Sequence, residues 1–309
     1  MTVASTGSSG ATLIGVDSSS VYYAVPDPTG YISYAYASGK TSTVNSGAEI
    51  DSVGAPFYLG LIGSQLFFGD HYNTYMCTFS SAATTQCNTL ATTVPGTGLG
   101  NGILVNFKNT QQQYYVTNDT YTATYPTFTW YWISNNTEAQ SFGDSISAPS
   151  WSDITPFSFD DAVYWLRALY DGSGTVTEVK LYAASVSKPT LTALSDNMAV
   201  DTYRVVDANT VSVLLAGPGG IYRVALPGNA ATAPPLLASL GSSSLVGATE
   251  DAGGVYWMQS DGTLFKCTAA TCSTSKKSLA TGQTPIGDLY QDATALYWSN
   301  GNQIMRIAK

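Results

Sequence analysis

The sequence predicts an all-β protein, a seven-bladed β-propeller of four-stranded antiparallel blades. An Asp-x-x-x-Val-Tyr-Trp signal recurs along the 309 residues, and the dipeptides Asp261-Gly262 and Asn300-Gly301 follow two of its copies. Such dipeptides are typical of tight hairpin turns. No stretch shows the 3.6-residue apolar periodicity of a helix. Four short strands in a repeat of about 44 residues are characteristic of propeller blades.

Each repeat is anchored by one residue in its second strand. The segments that begin at Asp292 and Asp251 match without a gap, and Asp17 begins a third clear copy. The anchors of all copies, including the weaker ones, are Tyr22, Phe67, Tyr114, Tyr164, Ser212, Tyr256 and Tyr297. Seven anchors at nearly regular spacing predict seven blades in a single β-propeller domain over residues 1–309.

The two ends of the chain are expected to meet in one blade. The last repeat stops at Lys309 after its third strand, whereas residues 1–10 precede a complete first repeat. We therefore expect Thr2–Thr6 to form the outer strand of the last blade. This pairing closes the ring without a covalent bond and removes an exposed sheet edge.

The repeated residues themselves predict structural roles. The Val-Tyr-Trp side chains are expected to pack between adjacent blades, because large aromatic rings contribute strongly to a core. The aspartate that opens a repeat is expected to accept hydrogen bonds from backbone N–H groups in the turn before the second strand. These turn aspartates are Asp17, Asp207, Asp251 and Asp292.

The composition excludes several classes of function. With 21 acidic and 12 basic residues the net charge is −9, which argues against nucleic-acid binding. Charged residues make up only 11 % and aromatic residues 12 %, so a large core can be buried. No apolar run of about 18 residues is present, so we expect no membrane span. A monomer is expected.

The four cysteines form two local pairs, Cys77 with Cys87 and Cys267 with Cys272. Each pair lies at the third and fourth strands of its blade, which predicts two disulfides that link outer strands; free buried thiols are the alternative. Neither pair has zinc-ribbon spacing, and the single histidine adds no second ligand, so no metal is expected. Disulfides favour an exported protein, periplasmic or extracellular, whose leader is absent from this chain.

The repeats also resemble a known group of propellers. The Asp-x-x-x-Val-Tyr-Trp strand, followed by a Met-Lys/Arg strand such as Met305-Arg306, is similar to the YWTD class and closer to exported bacterial YWTD-like repeat β-propellers. The sequence departs from the class after Tyr-Trp, where Ser299-Asn300 and Met258-Gln259 replace Thr-Asp. The resemblance implies a propeller fold and export, and it transfers no functional residue.

Function is expected where the repeat is interrupted, at loops that share one face of a propeller. A loop over residues 118–126 and the connections near it predict an off-centre cleft over blades two to four. Exposed aromatic faces among polar neighbours suit a sugar ring or a flat protein surface. The candidate ligand-binding residues are Asp70, His71, Tyr121, Tyr125, Trp151, Asp153 and Arg167.

Three functions remain open from the sequence. The first is a non-catalytic binding or scaffold propeller that recognises a glycan or a protein. The second is a hydrolase or lyase in which His71, beside Asp70, acts as a general base. The third is a purely structural subunit that docks a partner. No cofactor is expected; a structural calcium ion is the alternative, because the segment from Asp171 to Thr175 begins like a calcium loop, although the twelfth position has no glutamate.

Overall fold

A computed structural model gives the structure of the protein. Residues near the two ends of the chain are described most completely. The described residues are 1–6, 10–16, 19–26, 33–39, 45–50, 57–62, 65–69, 74–78, 86–89, 105–106, 112–122, 125–134, 140–147, 154–159, 162–170, 173, 176–185, 192–193, 204–208, 212–217, 219–225 and 234–309.

These residues form 28 β-strands and one short helix. The strands of the first part of the chain are β1 (Thr2–Ser5), β2 (Thr12–Val16), β3 (Ser20–Pro26), β4 (Ser33–Gly39), β5 (Asn45–Ile50), β6 (Phe57–Ile62), β7 (Gln65–Gly69), β8 (Thr74–Thr78) and β9 (Gln86–Thr89). Those of the middle part are β10 (Val105–Asn106), β11 (Gln112–Thr122), β12 (Tyr125–Ser134), β13 (Gln140–Ser147), β14 (Ile154–Phe159), β15 (Ala162–Tyr170), β16 (Val176–Ser185), β17 (Thr192–Ala193), β18 (Arg204–Ala208), β19 (Ser212–Gly217), β20 (Gly220–Ala225) and β21 (Leu236–Ser239). The last elements are β22 (Leu245–Asp251), β23 (Gly254–Gln259), β24 (Leu264–Cys267), α1 (Cys272–Ser275), β25 (Lys277–Ala280), β26 (Pro285–Gln291), β27 (Ala295–Asn300) and β28 (Gln303–Ala308).

The described strands group into seven antiparallel sheets of four strands each. Six sheets use four consecutive strands, from β2-β3-β4-β5 to β22-β23-β24-β25, and the seventh has the order β1-β28-β27-β26. Every anchor identified in the sequence lies in the second strand of its repeat. The predicted all-β class with four-stranded antiparallel sheets is therefore confirmed.

The chain divides into two compact units, residues 1–90 with 240–309, and residues 91–239. Within the first unit, the first strands of successive repeats contact one another: β22 lies against β26, β26 against β2, and β2 against β6. Within the second unit, β10 lies against β14 and β14 against β18. In both units, neighbouring sheets meet through the first strands of their repeats.

The N-terminal strand completes the last sheet of the first unit. Thr2, Ala4 and Ser5 in β1 are paired with residues of β28, with an irregularity between Thr2 and Ala4. The backbone N–H of Thr6 donates to the carbonyl of Asn302 at 3.0 Å, which extends this contact past the strand. The strand pairing expected between the two ends of the chain is thus present.

Aromatic residues of the repeats fill the spaces between sheets of the first unit. Tyr256 packs with Trp298 in one cluster, and Tyr297 packs with Tyr23 in another. All four side chains are at most 3 % exposed. Since each cluster combines residues from neighbouring sheets, the predicted packing of the Val-Tyr-Trp rings between sheets is confirmed in this part of the chain.

A β-bulge recurs between the first and second strands of several repeats. The register shifts at Leu13/Gly15 in β2, Leu245/Gly247 in β22 and Ile286/Leu289 in β26. At Gly247, a Cβ atom would lie 2.5 Å from the backbone nitrogen of Leu289 in the neighbouring sheet. Only glycine permits this approach of two first strands. The sequence predicts these strands, but not the bulges within them.

One predicted disulfide is present, and the backbone of the second pair has the expected pairing. Cys267 and Cys272 are bonded, with their Cα atoms 4.9 Å apart. Cys77 in β8 and Cys87 in β9 stand directly opposite each other in the strand register. Helix α1, four residues long, begins at Cys272. Among the described residues, no helix has the length and apolar character needed to cross a bilayer.

Candidate functional site

The structure places three of the seven predicted site residues. Tyr121 lies in β11, Tyr125 in β12 and Arg167 in β15. The other four, Asp70, His71, Trp151 and Asp153, lie outside the described residues. The cleft expected over blades two to four therefore stays a prediction.

The long loop predicted over residues 118–126 is wrong, because the chain there continues as a paired hairpin. Strands β11 and β12 are in register from Gln112, opposite Ser134, to Thr122, opposite Tyr125. One register shift, between Asp119 and Tyr121, interrupts this ladder. Threonine and tyrosine favour extended backbone on a pleated surface. In the sequence the same residues are also compatible with a polar loop. Pairing with the neighbouring strand decides between loop and strand.

Arg167 also differs from its predicted position. It was expected in the loop after the Tyr-Trp signal of the fourth repeat, but it lies inside β15, paired on one side with Ile154 and on the other with Lys180. The hairpin continues beyond it to Tyr170, which is opposite Val176. The repeat signal therefore marks where this second strand begins, and does not mark where it ends.

The hairpins β11–β12 and β15–β16 have longer second strands than the other five sheets. β11 has 11 residues and β15 has 9, whereas the second strands of the other five sheets have 5 to 7. At about 3.3 Å per residue, four extra residues lengthen a strand by roughly 13 Å. Both hairpins belong to the second unit, and their sheets are neighbours because β10 contacts β14. The β11–β12 hairpin and the β15–β16 hairpin form the candidate functional site, named here the long-hairpin pair.

A different polar cluster lies at the turns that precede the second strands in the first unit. The Asp251 carboxylate accepts a hydrogen bond from the Gly253 N–H at 2.7 Å. The Asp292 carboxylate accepts from the N–H groups of Thr294 at 2.7 Å and Ala295 at 2.9 Å. The predicted turn role of these two aspartates is confirmed.

Each of these aspartates is also joined to the anchor tyrosine of its repeat. The Tyr297 hydroxyl donates to Asp292 Oδ2 at 2.8 Å, and Arg306 Nε donates to the Tyr297 hydroxyl at 3.2 Å. In the preceding sheet, Tyr256 is hydrogen-bonded to Asp251. Lys266 Nζ lies 5.0 Å from the centre of the Tyr256 ring. Turn aspartate, anchor tyrosine and third-strand cation thus form the same arrangement in two sheets.

The neighbouring sheets are also linked through Asp251. Lys309, which follows β28, forms an ion pair with Asp251 in the adjacent sheet, and its Nζ donates to Gln291 Oε1 at 2.5 Å. Gln291 Nε2 donates in turn to the carbonyl of Glu250 at 2.8 Å. Because these contacts occupy the Asp251 carboxylate, the cluster is structural. Sequence reasoning missed it, since nothing in the repeat predicts a contact between Lys309 and Asp251.

This cluster predicts a difference in alkaline stability. Burial, and then the negative charge of Asp251, raise the pKa of Tyr256 to about 12 from an ordinary value of 10.0. The neutral phenol therefore contributes stability that is complete below pH 10 and is lost as the pH rises towards 12. We expect the melting temperature of Tyr256→Phe to fall less steeply than that of the wild type across this interval. Thermal unfolding monitored by circular dichroism at several pH values gives these melting temperatures. If they fall in parallel with pH in the two proteins, the expectation is contradicted.

The described residues contain no metal centre. Among them, no three His, Cys, Asp or Glu side chains lie close enough together to hold an ion. The ordered cluster at Asp251 is composed of a carboxylate, an amide, a tyrosine and lysines in mutual contact. The contacts of Lys309 with Asp251 and of Gln291 with Glu250 join two neighbouring sheets.

Comparisons with known proteins place the chain by fold. No protein-family model and no curated protein matches the sequence. Solved structures do match: the β-propeller domain of the Trilobed protease from Pyrococcus furiosus, described as having an open velcro topology, aligns with a TM-score of 0.63 at 10 % identity, covering 97 % of this chain and 94 % of that one. YCF48 bound to D1 peptide aligns with a TM-score of 0.62 at 9 % identity, with the same coverages of 97 % and 94 %.

A third similar structure is larger than this chain. The acylaminoacyl peptidase of Pyrococcus horikoshii aligns with a TM-score of 0.60 at 11 % identity over 97 % of the chain. The alignment covers 52 % of that enzyme, so the chain spans about half the length of the peptidase. At such low identities the similarity concerns the fold alone. The sheets and the solved structures together identify a β-propeller scaffold.

Proposed function

We propose that the chain is a non-catalytic binding or scaffold propeller that acts outside the cytoplasm, and that its seven sheets are the blades of one ring. Three features support the ring: successive first strands contact each other within each unit, the sheets share one antiparallel order, and β1 completes the last of them. The disulfide between Cys267 and Cys272 supports export, because oxidising compartments preserve such bonds.

The long-hairpin pair is the proposed recognition surface. The observation that carries this assignment is the pairing of β11 with β12, which extends as far as Thr122 and Tyr125 with one register shift, between Asp119 and Tyr121. A paired hairpin holds its residues in a fixed geometry, so less conformational entropy is lost on binding than with a free loop. Tyr121 and Tyr125 lie near the end of this hairpin, and we propose them as its ligand-contacting residues.

A glycan or a protein surface is the proposed ligand. From residue 117 to residue 128 the segment is rich in threonine and aromatic residues and has one charged residue, Asp119. Aromatic faces pair with the C–H patches of sugars or with apolar protein surface, and hydroxyl groups supply hydrogen bonds around them. YCF48, a structure of similar fold, is bound to a peptide, which supports the protein alternative.

Shortening the β11–β12 hairpin tests this proposal. Replacing residues 118–128 with Asn-Gly joins Thr117 to Thr129, which already face each other, through a favoured two-residue turn. We expect an unchanged circular dichroism spectrum and loss of the ligands that the wild type binds on glycan and peptide arrays. Tyr121→Ala and Tyr125→Ala are expected to weaken the same ligands about tenfold or more, as truncated aromatic anchors do.

The control is Thr263→Ala, in the short hairpin between β23 and β24 of the first unit. It alters a comparable turn outside the proposed surface and is expected to leave array binding unchanged. If the shortened variant binds every ligand that the wild type binds, the long hairpins are not part of the recognition surface. Ligands lost equally in the Thr263 variant would show a general effect on the fold.

A further inference from the structure

Basic side chains are concentrated in the last two sheets of the first unit. The chain as a whole has 12 basic and 21 acidic residues, whereas residues 266–309 have five basic residues against two acidic ones. The charged residues of this stretch are Lys266, Lys276, Lys277, Asp288, Asp292, Arg306 and Lys309. The side chains of this stretch therefore carry a net charge of +3 in a protein whose net charge is −9.

Three of these lysines lie on the same side of the sheet β22–β25, the side on which Tyr256 packs against Trp298 of the last sheet. Lys266 Nζ lies 5.0 Å from the centre of the Tyr256 ring, and Lys309 Nζ lies 5.5 Å from it. Lys277 in β25 is directly opposite Lys266 in β24. Residues that face each other in an antiparallel pair share one side of the sheet. Lys266, Lys277 and Lys309 are named here the lysine face.

The described residues supply one carboxylate to the three ammonium groups of the lysine face. Lys309 forms an ion pair with Asp251. A Cβ atom built on Gly253 would lie 3.1 Å from Asp251 Oδ1 and 3.8 Å from Lys266 Nζ, so the Lys266 ammonium lies at the same turn. Among the described residues, no acidic side chain forms an ion pair with Lys266 or Lys277. Two positive charges are therefore in excess.

The pairing of Lys266 with Lys277 is unfavourable by itself. Like charges directly opposite each other destabilise an antiparallel strand pair, and an anion bound between them would replace one repulsion with two attractions. The acidic remainder of the chain opposes this binding only weakly. At physiological ionic strength, charges more than about 8 Å away are largely screened, whereas charges in direct contact are not.

We propose that the lysine face binds a doubly charged oxyanion: inorganic sulfate or phosphate, or a phosphate monoester. Its two charges match the two positive charges in excess, and its oxygens can accept hydrogen bonds from both Lys266 and Lys277. The Tyr256 ring holds the Lys266 ammonium in place before the anion arrives. Lys277 is exposed, so the site is open to solvent.

Lys309 has a different part in this site. Its side chain is only 11 % exposed and is already paired with Asp251, so it contributes positive charge at short range and makes no direct contact with the anion. The lysine face belongs to the first unit and the long-hairpin pair to the second. Anion binding is therefore a further activity, and it does not depend on recognition by the long hairpins.

An NMR titration at constant ionic strength and about pH 8 tests the proposal. The probes are sodium sulfate, sodium phosphate and glucose 6-phosphate, and the amide shifts of Gly253 and Lys266 report binding at this place in the fold. We expect saturable binding in the millimolar range. Acetate, which has one charge, and glucose, which has none, are expected to bind at least about tenfold more weakly, because fewer charged hydrogen bonds form.

Two charge removals and a matched control locate the site. Lys266→Met keeps the stem over the Tyr256 ring, and Lys277→Gln removes an exposed charge. Each is expected to weaken binding about tenfold, because one hydrogen bond between charged groups is lost. Lys276→Gln is the control. It removes the same charge from the neighbouring residue, but its ammonium lies on the other side of the hairpin, 4.1 Å from the centre of the Phe265 ring.

A stability measurement separates binding from a structural role of Lys277. Without the anion, Lys277→Gln is expected to keep or slightly raise the melting temperature, because the variant loses a repulsive contact with Lys266. A lysine that served only the fold would give a lower melting temperature when replaced. Lys277→Arg keeps the charge and is expected to bind the anion as the wild type does.

Wild-type amide shifts that stay unchanged with all three probes overturn the proposal. So does binding that Lys276→Gln weakens as much as Lys277→Gln, since net charge alone would then explain the effect. Binding of the free ions supports a site for inorganic sulfate or phosphate, and binding of glucose 6-phosphate alone supports a site for a phosphate monoester. If Lys266→Met fails to fold, the exposed variants Lys277→Gln and Lys277→Arg still decide.

Discussion

Gly254→Ala is expected to destabilise the protein by about 4 kcal/mol and to lower its melting temperature by about 10 °C. Gly254 has a φ angle of +136°, which residues with a side chain rarely adopt. An added Cβ would lie 2.1 Å from the carbonyl oxygen of Cys267. That oxygen is in the backbone of β24, paired with β23, so it cannot move without breaking the sheet. Thermal unfolding at neutral pH measures the effect.

The repeat gives the opposite expectation at this position, which makes the test informative. When the Val-Tyr-Trp signals are aligned, Gly254 corresponds to Ala295, so the neighbouring repeat carries alanine at this position. Gly301→Ala is the matched control: its φ angle of +63° is also left-handed, but no atom lies within 4 Å of its added Cβ. The control is expected to lose about 1 kcal/mol, the backbone cost alone. Equal losses in both variants would show that the close contact with Cys267 has no effect.

Deletion of residues 1–6 is expected to lower the free energy of unfolding by about 5 kcal/mol. The deletion removes Val3 and Ala4, which are 3 % and 2 % exposed and pack in the cluster with Tyr23 and Tyr297. It also leaves the edge of β28 without its partner strand. Lost apolar burial and lost ladder hydrogen bonds both contribute to this estimate. Denaturant unfolding followed by tryptophan fluorescence measures the change.

Thr2→Ala is the control for this deletion, because Thr2 is exposed and its backbone pairing is retained. It is expected to stay within about 0.5 kcal/mol of the wild type. The deleted protein should also bind a dye specific for exposed apolar surface. An unfolding transition that the deletion leaves unchanged would show that β1 does not stabilise the last sheet, and the ring closed by β1 would have to be abandoned.

The strand pattern was predictable because it is carried by short-range signals. The Asp-x-x-x-Val-Tyr-Trp signal, repeated with aromatic anchors such as Tyr256 and Tyr297, is sufficient to locate the second strand of each repeat. Turn dipeptides such as Asn300-Gly301 then give the hairpin that follows. The pairing of β1 with β28 was predictable by a different route, since the repeats left one strand spare at the start and one missing at the end.

The ends of the long hairpins and the contacts between sheets were not predictable in the same way. Thr117, Asn118 and Thr122 are compatible with a loop or a strand, and only pairing with β12 selects the strand. The contact between Lys309 and Asp251 depends on how two sheets are placed, which no local pattern encodes. In the candidate site, Tyr121, Tyr125 and Arg167 were predictable from the sequence as departures from the repeat. The paired strands in which they lie were not.

The pairing of β1 with β28 has a consequence for biosynthesis. Thr2–Ser5 is translated roughly 300 residues before its partner, Gln303–Met305. At about 5–20 residues per second, the first strand waits for roughly 15–60 s. Its sequence, Thr-Val-Ala-Ser, is short and weakly apolar, so it presents little adhesive surface during that wait. The last sheet is therefore completed only after β28 has been translated, and the nascent chain depends on its remaining sheets until then.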